Sequence, residues 1–406
     1  MKKTFSRNTS RRDFVKGTSL MAGGILAAPL LSRANFFSGA DDTIKIAVVG
    51  CGGRGTGAAM QALSSKQNVK IVAMADAFKD NLDNCHKSLT DEINNSIGEL
   101  AKRLDVPEER RFTGFDGYQK AIALADVVIL ATPPGFRPIH FAEAIKQGKH
   151  VFMEKPVATD PAGIQSVLAT AAIAKEKKLN VVVGLQRHYQ NSYRELYKRK
   201  DMIGDITSAQ AWWDNDGVWV RPRKYNQTEM EYQMRNWYYF NWLCGDHITE
   251  QHIHNLDVIN WFKGGHPIKA QGFGGRQVRK GKDHGEIFDH HFVEFEYADG
   301  SILNSQCRHI PGTMSKVDEL LIGTKGKIFC GAAHIKDHSG KIIYQYDTKL
   351  ENNPYQSEHD ELFAAIAKGE YKFADAENGA HSTMTSILGR MATYSGRVVK
   401  IGRAHV

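Results

Sequence analysis

The chain has 406 residues, 42% of them hydrophobic, and a formal net charge of +8. Residues 1–34 carry seven Lys and Arg against one acid, so the rest is close to neutral and offers no basic surface for nucleic acid. The length is ample for two domains, and the five scattered cysteines (Cys51, Cys85, Cys244, Cys307 and Cys330) exclude a disulfide framework.

The first stretch reads as an export signal. A basic start leads into Ser10-Arg11-Arg12-Asp13-Phe14-Val15-Lys16, then a weakly apolar run from Gly17 to Leu31, then the small-residue site Ser32-Arg33-Ala34. The run is too short, and its flanks are wrong, for a membrane span. Paired arginines followed by Phe fit a twin-arginine signal over residues 1–34; an ordinary secretory signal or a disordered basic tail are the alternatives. Such a protein loads its cofactor in the cytoplasm, meets the twin-arginine export machinery and works in the periplasm or outside. At the other end, Ile401-Gly402-Arg403-Ala404-His405-Val406 reads as a non-native tail, and 401–406 are left out of the fold expectation.

Between these ends, short apolar runs alternate with helical stretches. Ile44–Val49, Val69–Ala75, Ala125–Ala131, His150–Met153 and Val181–Gly184 read as buried strands; 57–63 and 161–178 read as helices. That alternation predicts an α/β fold with a doubly wound parallel sheet over residues 43–185. After residue 186 the period changes. Strands are expected at 206–213, 292–297 and 301–307, with a glycine turn inside 320–329. Helices are expected at 245–261, 358–367 and 379–394. Residues 186–400 thus read as an α+β domain on an open, mostly antiparallel sheet.

Gly50, Gly52 and Gly55 give the G-x-G-x-x-G spacing, with Gly53 and Arg54 in the same turn. The first glycine permits a tight turn, the second lets backbone approach a pyrophosphate, and the third lets helix pack on strand. Asp76 closes the next strand, 26 residues after Gly50. A carboxylate there accepts from ribose hydroxyls and repels a 2′-phosphate, which favours NAD over NADP. Arg54 is the residue that could reverse that preference, and a solvated strand-end carboxylate is the plain alternative for Asp76.

Glu154-Lys155-Pro156 falls at the carboxyl end of a parallel strand, where open α/β sheets place ligands. A lysine beside a cationic nicotinamide is expected to have a lowered pKa and to assist removal of a hydroxyl proton. The bland alternative is a surface lysine before a turn. Further on, a continuous helix would put His247, Glu250, His254 and Asp257 within an arc of about 80°, offering an acid–base histidine with carboxylates to orient it. His252 falls on the apolar side, as a core histidine. The spacing of His247, Glu250 and His254 permits a metal, but no metal is expected.

At these residues the chain resembles the Gfo/Idh/MocA family, named for glucose–fructose oxidoreductase and inositol dehydrogenase. The likeness runs from Ile44 to about Val399. It includes the glycine turn, Asp76, Ala131-Thr132-Pro133-Pro134 with His140, the Glu154-Lys155-Pro156 strand end, His254-Asn255-Leu256-Asp257 before Trp261, and Gly323-Thr324-Lys325-Gly326. The resemblance implies cofactor contacts at Thr132, Pro133, His140, Glu154 and Lys155. It puts the catalytic lysine on Lys155 and the catalytic histidine on His254. Members commonly carry Asp four residues before that histidine and Gly two before it; this chain has Glu250 and His252. The family also implies a Rossmann domain, an open-faced sheet domain carrying substrate and subunit contacts, and a homodimer or homotetramer.

Five of the six Trp lie between 212 and 242, interleaved with Tyr, Asp, Asn and Arg. Such a stretch suits a pyranose or glycan, or a subunit interface. Arg187, Tyr189, Trp213, Trp237 and Asp257 are the substrate-binding expectations. The reading is an exported NAD-dependent oxidoreductase moving hydride between a sugar hydroxyl and a tightly bound nicotinamide. Its rivals are a redox-neutral glycosidase, lyase or epimerase passing through a transient keto-sugar, with His252 and Glu250 as extra acid–base groups, and a non-catalytic glycan-binding protein.

Overall fold

The computed structural model describes residues 42–95 and 99–402; the expected export signal and residues 403–406 lie outside the described residues. Six strands form the first sheet: β1 (Ile44–Val49), β2 (Val69–Asp76), β3 (Arg111–Thr113), β4 (Val127–Leu130), β5 (His150–Met153) and β6 (Val181–Val183). All pair in parallel, in the order β3-β2-β1-β4-β5-β6. This is the dinucleotide-binding order, in which the chain reverses direction beside β1 and opens a crevice at the carboxyl ends of the strands. β1, β4 and β5 are apolar runs almost wholly buried, as a sheet covered on both faces requires. Helices Gly53–Leu63 and Lys79–Asn95 cover one face with Ala58, Ala59, Ala62 and Leu82; Arg137–Lys146 and Pro161–Glu176 cover the other with Phe141, Ile145 and Ile164. Asp160 caps the last of these, accepting from Gly163 N–H at 2.8 Å.

The second sheet has nine strands: β7 (Ile206–Asn215), β8 (Lys269–Gly275), β9 (His290–Glu296), β10 (Ile302–His309), β11 (Lys316–Gly323), β12 (Gly326–Phe329), β13 (His334–Asp337), β14 (Ile342–Gln345) and β15 (Val399–Lys400). Only β7 and β10 pair in parallel; the other neighbours are antiparallel. β9 and β10 bury alternate residues, the pattern of a sheet with one covered face. Helices Ile253–Lys263 and Asp375–Ser395 supply that cover through Leu256, Ile259, Phe262 and Leu388.

Two late helices return to the first sheet. Pro354–Ala367 lies on Gly53–Leu63, with Gln356 Nε2 donating to Gln61 O at 2.9 Å. Asp375–Ser395 packs on Pro161–Glu176, and Ala374 bridges to Val181. The C-terminal helices therefore span both sheets. Ile401, expected to be foreign, donates its N–H to Ile268 O at 2.9 Å and packs on the core. Among the described residues no helix is long and apolar enough to cross a membrane.

Candidate active site

Gly50 follows the end of β1, with φ of +94°. A Cβ there would lie 2.5 Å from Thr132 N, and a Cβ on Gly55 would lie 1.8 Å from Gly50 O. Both positions are closed to any side chain. Gly52 and Gly53 have no neighbour within 4 Å; they face open space. Gly52 starts the helix Gly53–Leu63 without any side-chain cap, so the first N–H groups are left for a ligand. In front of them lies a cavity of about 880 Å³, bounded by this turn, Asp76, Thr132, Pro133 and His140, and on its far side by Trp219 and Trp237. Its size, its bare helix terminus and its acidic strand end fit a dinucleotide.

Asp76 is held rigidly. Its Oδ2 accepts from Cys51 N–H (2.7 Å), and its Oδ1 from Phe78 N–H (2.8 Å) and Asn81 (3.3 Å). Burial raises its pKa, against the pull of those backbone donors. A carboxylate has about four lone-pair sites, so capacity remains for a ribose hydroxyl. Arg54 lines the same cavity but its guanidinium is already engaged: it pairs with Glu154 (2.5 Å) and Glu358 (3.5 Å) and donates to Gln61 (3.0 Å). Thr132 is fixed from two sides, its carbonyl accepting from buried Arg137 (2.6 Å) and its hydroxyl meeting His140 Nδ1 (3.1 Å). Burial lowers the His140 pKa to about 3, so its ring stays neutral against Tyr118, 4.3 Å away.

Lys155 follows the end of β5, and its peptide bond to Pro156 is cis. Its ammonium lies 2.9 Å from Glu250 Oε2 and also contacts the Glu250 carbonyl oxygen. The two side chains are only 13% and 12% exposed. Burial raises the Glu250 pKa, and the Lys155 charge opposes it. His254 is buried, its Nδ1 has no partner, and its ring stacks on Trp213 at 5.9 Å. Burial, then the charges of Lys155, Arg187 and Arg54, hold its pKa well below the usual histidine value. Trp213 Nε1 is likewise buried without a partner. A neutral imidazole and an indole N–H thus wait side by side, next to a lysine–glutamate pair. None of these four residues lines the 880 Å³ cavity.

The single helix expected over 245–261 is two helices, His247–Glu250 and Ile253–Lys263. Gly245 and Asp246 both take positive φ, which delays the first helix to His247, and a turn at Gln251 and His252 separates it from the second. The four polar residues therefore do not share one face. Glu250 turns to Lys155 and not to His254. Asp257 accepts from Ser382 (2.7 Å) and Asn378 (3.0 Å) and pairs with His188 (2.7 Å), so it does not orient His254. His252 is a core residue, bonded to Ser305 (2.7 Å) and Asn255 (3.3 Å); it offers no spare acid–base capacity. The trio His247, Glu250 and His254 disperses. His247 instead joins Asp246 and His291 in a buried group whose candidate ligand atoms lie within 4.8 Å of one another. There Asp246 already accepts from Tyr394 (2.6 Å) and Phe288 N–H (3.0 Å), and the Arg279 cation lies 3.5 Å from His247 Nδ1.

The substrate expectations divide similarly. Arg187 is locked in a buried ion pair with Glu319, which also takes Tyr193 (2.9 Å) and Asn255 (2.6 Å). Tyr189 donates to Asp375 at 2.7 Å and sits in the core of the first sheet, not in a cleft. Trp237 lines the cofactor cavity, edge-on to Trp219 at 5.9 Å. Of the five residues, Trp213 alone stands beside His254. The sequence reading missed Arg235 at the cavity and Arg137, which is buried behind it and holds Thr132. Arg235 carried a signal, since it lies inside the aromatic stretch already singled out.

Fold and site together define a dinucleotide-binding Rossmann protein with a second, open-sheet half. Residues 44–185 match the model described as the GFO_IDH_MocA oxidoreductase family, NAD-binding Rossmann fold. An inositol 2-dehydrogenase of Gluconacetobacter diazotrophicus is 30% identical over 173 residues, 42% of this chain and 45% of that one. A glycosyl hydrolase family 109 protein of Solibacter usitatus is 30% identical over 166 residues, 37% of this chain and 33% of its own. The chain spans less than half the length of these relatives. The scyllo-inositol dehydrogenase of Lactobacillus casei, solved with NAD(H) and scyllo-inositol, superposes with a TM-score of 0.65 at 22% identity, over 88% of this chain and 99% of that one; it shares the fold.

Proposed function

We propose that this protein is an NAD-dependent oxidoreductase that moves hydride between a hydroxyl-bearing carbon of a sugar or cyclic polyol and the nicotinamide ring. The observation that carries the reading is the neutral, buried His254 near the Lys155–Glu250 pair, at the carboxyl edge of a sheet whose glycine turn fits a dinucleotide. NAD bound at that turn supplies the hydride acceptor. Lys155 and His254 hold the substrate hydroxyl, and its proton passes to the unprotonated base as hydride leaves the same carbon. Glu250 anchors Lys155 and balances its charge. The Trp213 ring offers a flat face to the sugar. Asp76, with Arg54 turned towards Glu154, favours NAD over NADP. Export by the twin-arginine route and a homo-oligomeric state belong to the same reading.

A second reading has one observation in its favour. Burial raises the Glu250 pKa, and its carboxyl stands 2.9 Å from the Lys155 ammonium as a second acid–base group in the same cluster as His254. That suits oxidation, elimination or hydrolysis at a neighbouring carbon, and return of the hydride. A relative named as a glycosyl hydrolase is in keeping with it.

Single-turnover mixing of NAD-loaded protein with cyclic polyols, aldoses and glycosides, followed by NADH absorbance, tests both. A lasting rise supports net oxidation. A transient rise with a cleaved or epimerised product supports the second reading. No NADH and no altered substrate across the panel would contradict both.

A further inference from the structure

The cofactor cavity has two walls of different origin. One is the glycine turn and the strand ends of the parallel sheet. The other comes from residues 216–244, which leave β7 and present Trp219, Arg221, Met234, Arg235 and Trp237 to the cavity. This segment is tied firmly to the second half of the chain. Asn236 Nδ2 donates to Asp283 O (2.8 Å) and the Tyr232 hydroxyl donates to Asp283 Oδ1 (2.8 Å), while within the segment Asn236 Oδ1 accepts from Arg221 N–H (2.9 Å).

Against the parallel sheet it makes a two-pronged contact. Arg235 donates to both oxygens of Asp80, at 2.9 and 3.1 Å, while its guanidinium lies 4.0 Å from the centre of the Phe78 ring. Glu231 steadies the same arginine at 3.0 Å. Phe78 and Asp80 follow Asp76 by two and four residues, so this grip falls beside the carboxylate that meets the cofactor ribose. At the other end of the segment the Trp242 carbonyl comes so close to Gly135 that a Cβ there would lie 2.2 Å from it. The aromatic stretch therefore spans from one half of the chain to the other.

We propose that residues 216–244 form a latch over the dinucleotide, with the Arg235–Asp80 pair as its bolt. The inference rests on the NAD reading above and concerns retention of the cofactor, not hydride transfer. A dinucleotide filling the cavity lies between the two walls and leaves when they part. Arg235 and Asp80 side chains are 24% and 57% exposed, so water and salt reach the bolt, and it opens without unfolding either wall. A latched cofactor is re-used in place, which is what a protein working away from a soluble NAD pool requires.

The test uses full-length protein loaded with isotopically labelled NAD and chased with excess unlabelled NAD. Release from the wild type is slow. Arg235→Ala and the milder Asp80→Asn each speed it by about tenfold, since affinity changes of this kind fall mainly on dissociation. The swap of Arg235→Asp with Asp80→Arg slows it again. High salt speeds release from the wild type but not from Arg235→Ala. Circular dichroism and thermal unfolding establish that each variant is folded. Release at the wild-type rate from folded Arg235→Ala and Asp80→Asn would overturn the latch and leave the cofactor reading intact. A wild type that takes up no NAD would overturn both.

Discussion

The Lys155 ammonium and the Glu250 carboxylate stand 2.9 Å apart across 95 residues of sequence. The pair joins the edge of the parallel sheet to the short helix His247–Glu250, and so brings the two halves of the chain together where the chemistry is placed. Each partner compensates the other's buried charge, and removing either one has consequences that can be measured.

Lys155→Met leaves Glu250 buried without its counter-charge. The folded-state pKa of Glu250 is already raised by burial, and the substitution raises it further. A carboxyl whose folded pKa exceeds its unfolded value is compatible with folding while protonated, and it costs stability as pH rises through the folded pKa. The melting temperature of Lys155→Met therefore falls below wild type by more at pH 8 than at pH 5. An equal deficit at both values would argue against the pair.

Activity separates the roles. Lys155→Met and His254→Gln each lower kcat by about 10²–10⁴, the usual range for a lost acid–base group, and both retain NAD. Glu250→Gln keeps the shape of the anchor without its charge and lowers kcat more than it alters KM. Wild-type turnover by folded His254→Gln would remove that residue from the chemistry.

The glycines make a paired prediction. Gly55→Ala places a Cβ 1.8 Å from Gly50 O, so it disrupts the turn and lowers stability by a few kcal/mol even without cofactor, as overpacking does. Gly52→Ala meets nothing in the protein, so its melting temperature stays close to wild type. Its methyl group points to where the pyrophosphate approaches, so NAD affinity falls by at least about tenfold. Calorimetry with and without NAD distinguishes the two.

Buried histidines predict the acid limit. Burial lowers the pKa of His140, His252 and His359 to about 3 and of His247 to about 4. Between those values and the unfolded value of about 6.5 the unfolded chain binds protons that the folded chain refuses, so stability rises with pH across that window. Each such residue adds a slope of up to about 1.4 kcal/mol per pH unit. Urea midpoints should fall steeply from pH 6.5 to pH 4.5; a flat response across that window would contradict the assignment.

Five of the six strands of the parallel sheet and its glycine turn were legible because their signals are local: short apolar runs, each closed by a glycine or a polar residue; the edge strand β3, Arg111–Thr113, has no such run and was missed. Asp76 was legible for the same reason. The break after Glu250 was not, because residues 246–261 keep an apolar period through the turn at 251–252; the start at His247 was hidden too, since nothing in that period shows Asp246 at φ of +73°. β8 was hidden by Gly272, Gly274 and Gly275, which resemble a loop; a Cβ on Gly272 would lie 2.3 Å from Phe292 O on the neighbouring strand. Partner choice was least legible. Whether Glu250 faces His254 or Lys155, and whether Tyr189 and Asp257 face a cleft or a buried network, is decided by contacts from distant parts of the chain. The aromatic stretch announced a surface of some kind, but only its attachment to Asp80 and Phe78 turned that surface towards the cofactor.

The central claim is that this chain holds NAD at the Gly50–Gly55 turn. Its most direct test is denaturation of purified full-length protein, with the released small molecules identified and counted by mass spectrometry. The account predicts NAD, close to one per chain. No dinucleotide released, together with no uptake of added NAD, would contradict it.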